Sequence, residues 1–348
     1  MSEPEIRIDQ LTGLRSILAP ARADRPNAFA VDRRPLSDPD GCPFCEGHEQ
    51  DTPGEVWAAR PDGSEPNTPG WTQRAVPNLY PALIEAEQGV AQPEPDSGFA
   101  ASADPLRSSS RIREPDLFGT RPAHGAQEVI VHTPRHLSSL SALEPEEIEG
   151  AVAAWRARMR AHANAAYVQV IVNEGPGAGA SREHTHAQLY ALSFVPTAVA
   201  RERERVGSYR ERTGGSSLLS DVLAEEVRRG ERLVAIDDDA ALICPWASRS
   251  PFELRIVPRA ESARFEDDTA GAAMLATAVK ALAERFGESP ELNLWVRTAP
   301  RGAEHFHWHI DIAPKLTIKA GFELATGVDI NVYPPERAAS DLRETLGE

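Results

Sequence analysis

Residues 181–191 read SREHTHAQLYA, which places two imidazoles and an amide on alternate positions: His184, His186 and Gln188. In an extended strand alternate residues share a face, so the three side chains are expected to point the same way. Neutral imidazole is nucleophilic near pH 7 and is also a common metal ligand. An amide beside it can donate to an oxygen on which charge is building. Just upstream, VQVIVNEGPGAGA is an apolar run that ends in glycines, and glycine lets a backbone come close to a phosphate. Gly175 and Ser181 are therefore candidate phosphate contacts, together with the backbone N–H groups of GPGAGA.

A second chemical signal lies in GCPFCEGHE, where Cys42 and Cys45 form C-x-x-C. That spacing suits a metal knuckle or a redox pair. With Cys244 there are three cysteines, an odd and sparse count that argues against a disulfide framework. A zinc finger is excluded because His132 lies 87 positions after Cys45. A thioredoxin-like pair lacks its usual βαβ setting.

The elements that must position these residues are legible. Ile148, Val152, Trp155 and Met159 recur at helical spacing, as do Leu275, Val279, Leu282 and Phe286, with Gly287 as a C-terminal stop. EVIVH, VQVIV, QLYAL, ALICPW, ELRIV, LNLWV and HWHIDI read as strands. Residues 50–75 and 85–125 are rich in Pro, Ser, Gly and acids and read as loop. Two stretches repeat one order of strand, helix, strand and histidine pair. From Pro134 to His184 is 50 positions, and from Pro258 to His307 is 49.

Composition narrows the classes. The 348 residues carry a formal net charge of −16, with 41% hydrophobic and 26% charged residues. Such a surface disfavours nucleic-acid binding, which depends on neutralising phosphates. Lysine occurs only at 280, 315 and 319, so arginine supplies almost all positive charge. No apolar run reaches membrane-span length and the N-terminal residues show no secretory pattern, so a cytoplasmic protein is expected.

Several segments together resemble the galactose-1-phosphate uridylyltransferase family of the histidine-triad superfamily: LTGLRSILAPARADRP, CPFCEGHE, PNLYPAL, NEGPGAGASREHTHAQ, PFELRIVPR and FHWHIDIAPKL, followed by AGFELATGVDIN and PPERAA. The resemblance implies an α+β fold of two histidine-triad-like halves, with antiparallel sheets and packed helices, internally duplicated and paired as a homodimer. The halves are expected at 1–195, with knuckle and nucleophile, and 196–348, with a sugar-binding segment. It implies nucleotidyl transfer by double displacement: His186 attacks the α-phosphate of a nucleotide sugar, sugar 1-phosphate leaves, and a second sugar 1-phosphate takes the nucleotide. Gln188 assists as phosphate donor.

By the same resemblance a structural zinc is held by Cys42, Cys45, His136 and His184, with His132 as the alternative to His136. A second metal would use Glu202, His307 and His309. There Arg297 stands where a fourth, histidine ligand is expected, and a guanidinium cation cannot ligate; the outcomes are a metal or a buried polar network. Arg22 and Arg25 match phosphate-contacting arginines. Asn78 and Asn173 match nucleotide contacts, and Glu323 and Asp329 match sugar-hydroxyl contacts. Phe322 replaces a usual tyrosine. Three readings follow: a UDP-glucose–hexose-1-phosphate uridylyltransferase, an ADP-sugar phosphorylase of the same family, and a non-catalytic zinc-containing binding protein.

Overall fold

The computed structural model describes residues 3–20, 31, 36–85 and 122–347. Thirteen strands are described: β1 (Glu5–Ile8), β2 (Arg15–Leu18), β3 (Trp57–Ala59), β4 (Gln73–Pro77), β5 (Gly125–Val131), β6 (Tyr167–Glu174), β7 (His186–Leu192), β8 (Leu233–Ile236), β9 (Ala240–Ile243), β10 (Leu254–Pro258), β11 (Leu292–Arg297), β12 (His309–Pro314) and β13 (Asp329–Asn331). The described helices are α1 (Pro145–Ala161), α2 (Thr197–Thr213), α3 (Leu218–Arg229), α4 (Ala272–Phe286), α5 (Gly321–Thr326) and α6 (Pro335–Leu346).

Ten strands form one sheet in the order β3-β4-β5-β7-β6-β11-β12-β10-β9-β8, paired antiparallel throughout. The order is a palindrome. Each half contributes five strands in the same succession, and β6 meets β11 at the centre. This is the duplication that the repeat implied. The registers set Val129 against Gln188 in one half and Arg255 against Asp311 in the other. On that register Pro258 corresponds to His132 and not to Pro134, so the matched prolines were a near coincidence.

Helices α1 and α4 cover one face. Ile148, Val152, Trp155 and Met159 of α1 are buried there with Leu275, Val279 and Leu282 of α4. The sheet answers with every second residue: Val168, Val170 and Val172, Ala187 and Leu189, Leu254 and Ile256, Leu292 and Leu294, Ile310 and Ile312. Pro145 starts α1, and the Glu144 N–H donates to Glu147 Oε2 at 2.9 Å, supplying an early acceptor where helix N–H groups are otherwise unmet. Gly287, at φ 73°, ends α4.

Among the described residues, the opposite face is covered only at its flanks. Trp71, Val76, Val129 and Val131 pack with Phe44 of the cysteine knuckle on the first half. Val206, Leu218, Leu219 and Leu223 of α2 and α3 pack on Ala241, Ile243 and Val257 of the second. Between these covers Ile171, Asn173, Gln188, Asn293 and Trp295 stay half-buried. A separate three-stranded sheet, β1-β2-β13, holds the N-terminal segment.

All seven strands read from the sequence exist. Residues 50–75, read as loop, contain β3 and the start of β4. Residues 86–121, most of the second loop reading, lie outside the described residues. Among the described residues no helix is long and apolar enough to cross a membrane.

Gly271 begins α4 at φ +96°, and a Cβ there would stand 2.9 Å from Trp308 Cη2. Gly271→Ala is expected to destabilise the fold by about 2–3 kcal/mol, from left-handed backbone and overpacking together. Urea unfolding of mutant and wild type measures this directly.

Candidate active site

Cys42 and Cys45 sit on a tight turn in which Cys45 N donates to Cys42 O at 3.3 Å and His48 N to Cys45 O at 3.2 Å. A further bond, Glu46 N to Pro134 O at 3.2 Å, joins the knuckle to the turn after β5 that carries His136. His184 lies just before β7. The ligand atoms of Cys42, Cys45, His136 and His184 all fall within 4.8 Å of one another. Cys42 Sγ is 3.5 Å from His184 Nδ1, and Cys45 Sγ is 3.4 Å from His136 Nδ1 and 3.6 Å from His184 Nδ1. Ordinary zinc bond lengths in a tetrahedron put sulfur and nitrogen about 3.5 Å apart.

His184 Nε2 donates to the Thr133 carbonyl at 2.8 Å, which fixes the tautomer that leaves Nδ1 as the ligand atom. Burial, with Cys42 alongside, pushes the Cys45 thiol up to about 12. Paired buried thiolates require a cation, and this donor set fits one. The group can therefore hold a metal ion. His132 stands apart from it. Trp155 Nε1 donates to His132 Nε2 at 3.1 Å, and His132 Nδ1 meets Thr185 Oγ1 at 3.0 Å. Both ring nitrogens are engaged, so His132 is not a ligand here.

His184 precedes the strand and does not continue it: β7 begins at His186. The reason is local. The His184 carbonyl accepts from His186 Nδ1 at 2.7 Å. His186 is buried, at 6% exposure, and burial holds its imidazole below the ordinary value of 6.5 against the opposing pull of that carbonyl. The ring is thus neutral at pH 7, with its proton on Nδ1 and its lone pair on Nε2. Phe44, between the two cysteines, packs with its ring centroid 5.2 Å from that of His186 and 6.2 Å from that of His184.

Gln188 follows on the same face. Its Oε1 accepts from Tyr190 Oη at 2.8 Å and from Gln127 Nε2 at 3.3 Å, so its NH₂ is turned away from both. Tyr190 and Gln127 were not singled out in the sequence, although Tyr190 extends the alternation of His186 and Gln188 by one step. Asn173, at the end of β6, accepts from Asn293 Nδ2 at 2.8 Å, which also donates to the Ala178 carbonyl at 2.8 Å. Gly175 has φ +81°, and a Cβ there would meet Glu291 Cγ at 2.3 Å. The N–H groups of Ala178, Gly179 and Ala180 close the turn internally. Glycine therefore secures the shape of this loop, and those three donors are not left for a phosphate. Gly175 and Ser181 line a cleft of about 490 Å³ with Ser138, Glu174, Arg182 and Lys315. Asn78 N donates to the Gln127 carbonyl at 2.8 Å, and Asn78 Oδ1 accepts from Tyr80 N at 2.9 Å.

The remaining sites lie elsewhere. Arg22 and Arg25 are outside the described residues. Glu323 accepts from Ala320 N at 3.0 Å at the start of α5, and Asp329 on β13 pairs with Lys319 at 2.6 Å. Both stand on elements other than the β7 site, and Phe322 is exposed. Glu202 on α2 and His309 on β12 come together with 3.8 Å between Oε1 and Nδ1, but Arg297 Nε is 3.3 Å from Glu202 Oε2. His307 faces Ser220 Oγ and the Pro258 carbonyl. Among the described residues, only the first four-residue group has metal-type geometry.

Residues 1–196 match the model of the galactose-1-phosphate uridyl transferase N-terminal domain. The chain is 30% identical to the ADP-glucose phosphorylase of Arabidopsis thaliana, over 98% of this chain and 93% of that protein. It is 28% identical to the probable galactose-1-phosphate uridylyltransferase of Drosophila melanogaster, over 99% and 96%. The crystal structure of the Arabidopsis thaliana ADP-glucose phosphorylase with bound ADP-glucose superposes with a TM-score of 0.76, at 29% identity over 98% of this chain and 99% of that one. The chain belongs to the galactose-1-phosphate uridylyltransferase family and is an enzyme of its nucleotidyltransferase class.

Cys42→Ser and Cys45→Ser are each expected to reduce bound metal from about one ion per chain to near zero and to lower the melting temperature, because metal binding is coupled to folding. Elemental analysis with a thermal melt checks both.

Proposed function

We propose that the protein transfers a uridylyl group between hexose 1-phosphates through a covalent nucleotidyl-His186. The observation that carries this reading is the 2.7 Å bond from His186 Nδ1 to the His184 carbonyl, which makes Nε2 the nucleophilic nitrogen. Nε2 attacks the α-phosphorus of a UDP-sugar. A P–N bond forms, the P–O bond to the β-phosphate side breaks, and sugar 1-phosphate leaves as an anion that needs little protonation. A phosphate oxygen of the second sugar 1-phosphate then attacks, breaking P–N and restoring the imidazole. Through both steps the carbonyl of His184 stabilises the ring's Nδ1 proton as positive charge develops. The Gln188 NH₂ donates to a non-bridging oxygen. As an amide it does not act as a general acid or base toward water, which protects the intermediate.

The ion held by Cys42, Cys45, His136 and His184 is zinc in this reading, with a structural role, since all four positions are protein. Gly175, Ser181, Asn173 and Asn78 contact the nucleotide sugar, and Arg22 and Arg25 its phosphates. Residues 1–195 and 196–348 are the two halves of one catalytic unit. Glu323 and Asp329 bind sugar hydroxyls in a homodimer, whose interface includes the exposed apolar Ile318 and Leu324. The three unbridged thiols suit the reducing cytoplasm.

A second reading is supported by the likeness to ADP-glucose phosphorylase: adenylyl transfer from an ADP-sugar to inorganic phosphate, through the same histidine. Offering UDP-glucose or ADP-glucose with galactose 1-phosphate or phosphate, in all pairs, separates the two. Wild type incubated with donor labelled in its nucleotide should retain an acid-labile label, and His186→Ala should retain none while keeping its metal. No label on wild type under turnover conditions sinks the covalent mechanism.

The pH profile carries a further prediction. Because His186 titrates below 6.5 in the folded protein, it stays neutral and nucleophilic as pH falls through that value. The acid limb of kcat/KM is therefore expected to have its half-point below pH 6.5, measured with saturating metal retained.

A further inference from the structure

The palindromic sheet lets each position of the catalytic face be matched to one in the second half. Gln188 lies between Val129 and Ile171, and Asp311 lies between Arg255 and Trp295. Counting from there, His186 matches His309, His184 matches His307, and Asn173 matches Arg297. The backbone logic is repeated. His307 Nε2 meets the Pro258 carbonyl at 2.9 Å, as His184 Nε2 meets that of Thr133 at 2.8 Å. His309 Nδ1 meets the His307 carbonyl at 3.4 Å, a longer version of the 2.7 Å bond at His186.

The chemistry is not repeated. Where His184 faces two thiols, His307 Nδ1 faces Ser220 Oγ at 3.1 Å. Where the nucleophile has an amide neighbour, His309 has carboxylates on both sides, Glu202 at 3.8 Å and Asp311 at 3.6 Å. These are met by arginines: Arg297 Nε lies 3.3 Å from Glu202, and Arg255 Nε donates to Asp311 at 2.7 Å, with its Nη1 3.8 Å from Asp9. The void left among them is about 30 Å³, too small for a phosphate. The resemblance implied a second metal here, and these residues do not fit one. Both nitrogens of His307 are engaged, and a dication would stand beside a fixed guanidinium already paired with the one carboxylate ligand.

We propose that the second half holds a superseded copy of the catalytic strand, converted into a buried ion-pair lock in which Arg297 takes the place of a metal. The lock fastens α2, through Glu202, and the N-terminal turn, through Asp9, to the central sheet. It also keeps His309 out of catalysis, since an anionic phosphate would have to enter between two carboxylates.

Three measurements on the full chain test this. Wild type equilibrated with excess zinc or ferrous iron and then desalted should keep one metal per chain. A second equivalent that Glu202→Gln removes would overturn the proposal. Arg297→Met should keep the first metal yet melt more than about 5 °C lower, because it leaves carboxylates buried without their cation. Arg297→Met with Glu202→Gln should regain part of that loss, and additive losses would overturn the lock. Should Arg297→Met fail to fold, the cycle is run instead with Arg297→Gln alone and Arg297→Gln with Glu202→Gln, and additive losses again overturn the lock. The third measurement alone rests on the proposed reaction: His186→Ala should take up no nucleotide label, and label on His309 would show that this histidine still reacts.

Discussion

One residue, His184, joins the metal-type group to the imidazole proposed as nucleophile. Its ring nitrogen belongs with the thiols of the knuckle, and its backbone carbonyl holds the Nδ1 proton of His186 at 2.7 Å. A shift of its backbone would therefore disturb the metal-type group and the tautomer of the proposed nucleophile together. Phe44 adds a second tie, since it lies between Cys42 and Cys45 and rests on both imidazoles. Behind them, the Trp155–His132–Thr185 chain of hydrogen bonds connects the buried face of α1 to the residue between the two histidines. The constraints on the site come from different parts of the fold.

The electrostatics favour the same division of labour. A buried imidazole disfavours its charged form, so in the proposed reaction His186 would meet an anionic substrate as a neutral nucleophile. In that proposal positive charge would appear on it only during reaction, when the adjacent carbonyl can stabilise it. Gln188 is held by its oxygen, through Tyr190 and Gln127, so in the proposed reaction the amide would not need to reorganise as a phosphoryl oxygen gains charge.

Much of this was legible in the sequence. Helical periodicity at residues 148–159 and 275–286 marked the two helices that bury the sheet, and the repeated histidine pair marked the duplication. The four residues of the metal-type group are far apart in the chain, and their partnership came from family resemblance, not from spacing. What was not legible has physical causes. β3 and β13 have three residues each, too few for alternation to register, and their pairing is set by distant partners. The cover formed by α2 and α3 on the second half depends on Val206 and Leu223 meeting Val257, which no local pattern encodes. The fate of Arg297 depended on whether Glu202 reached it, and the loop at Gly175 used its N–H groups on itself, a choice visible only in three dimensions.

The join between β6 and β11 has a consequence for synthesis of the chain. Residues Asn173 and Asn293 face each other across it, so the middle of the open face is built from segments made more than a hundred positions apart. Until β11 emerges, the first half presents β6 as a bare edge of unpaired N–H and C=O groups, the kind of surface that invites pairing with other chains. Closing so large a loop is slow compared with forming the hairpins on either side. During translation His186 and the cysteine knuckle exist before the second half of the sheet does. The nascent protein passes through an interval in which its own second half is the strand partner it most needs.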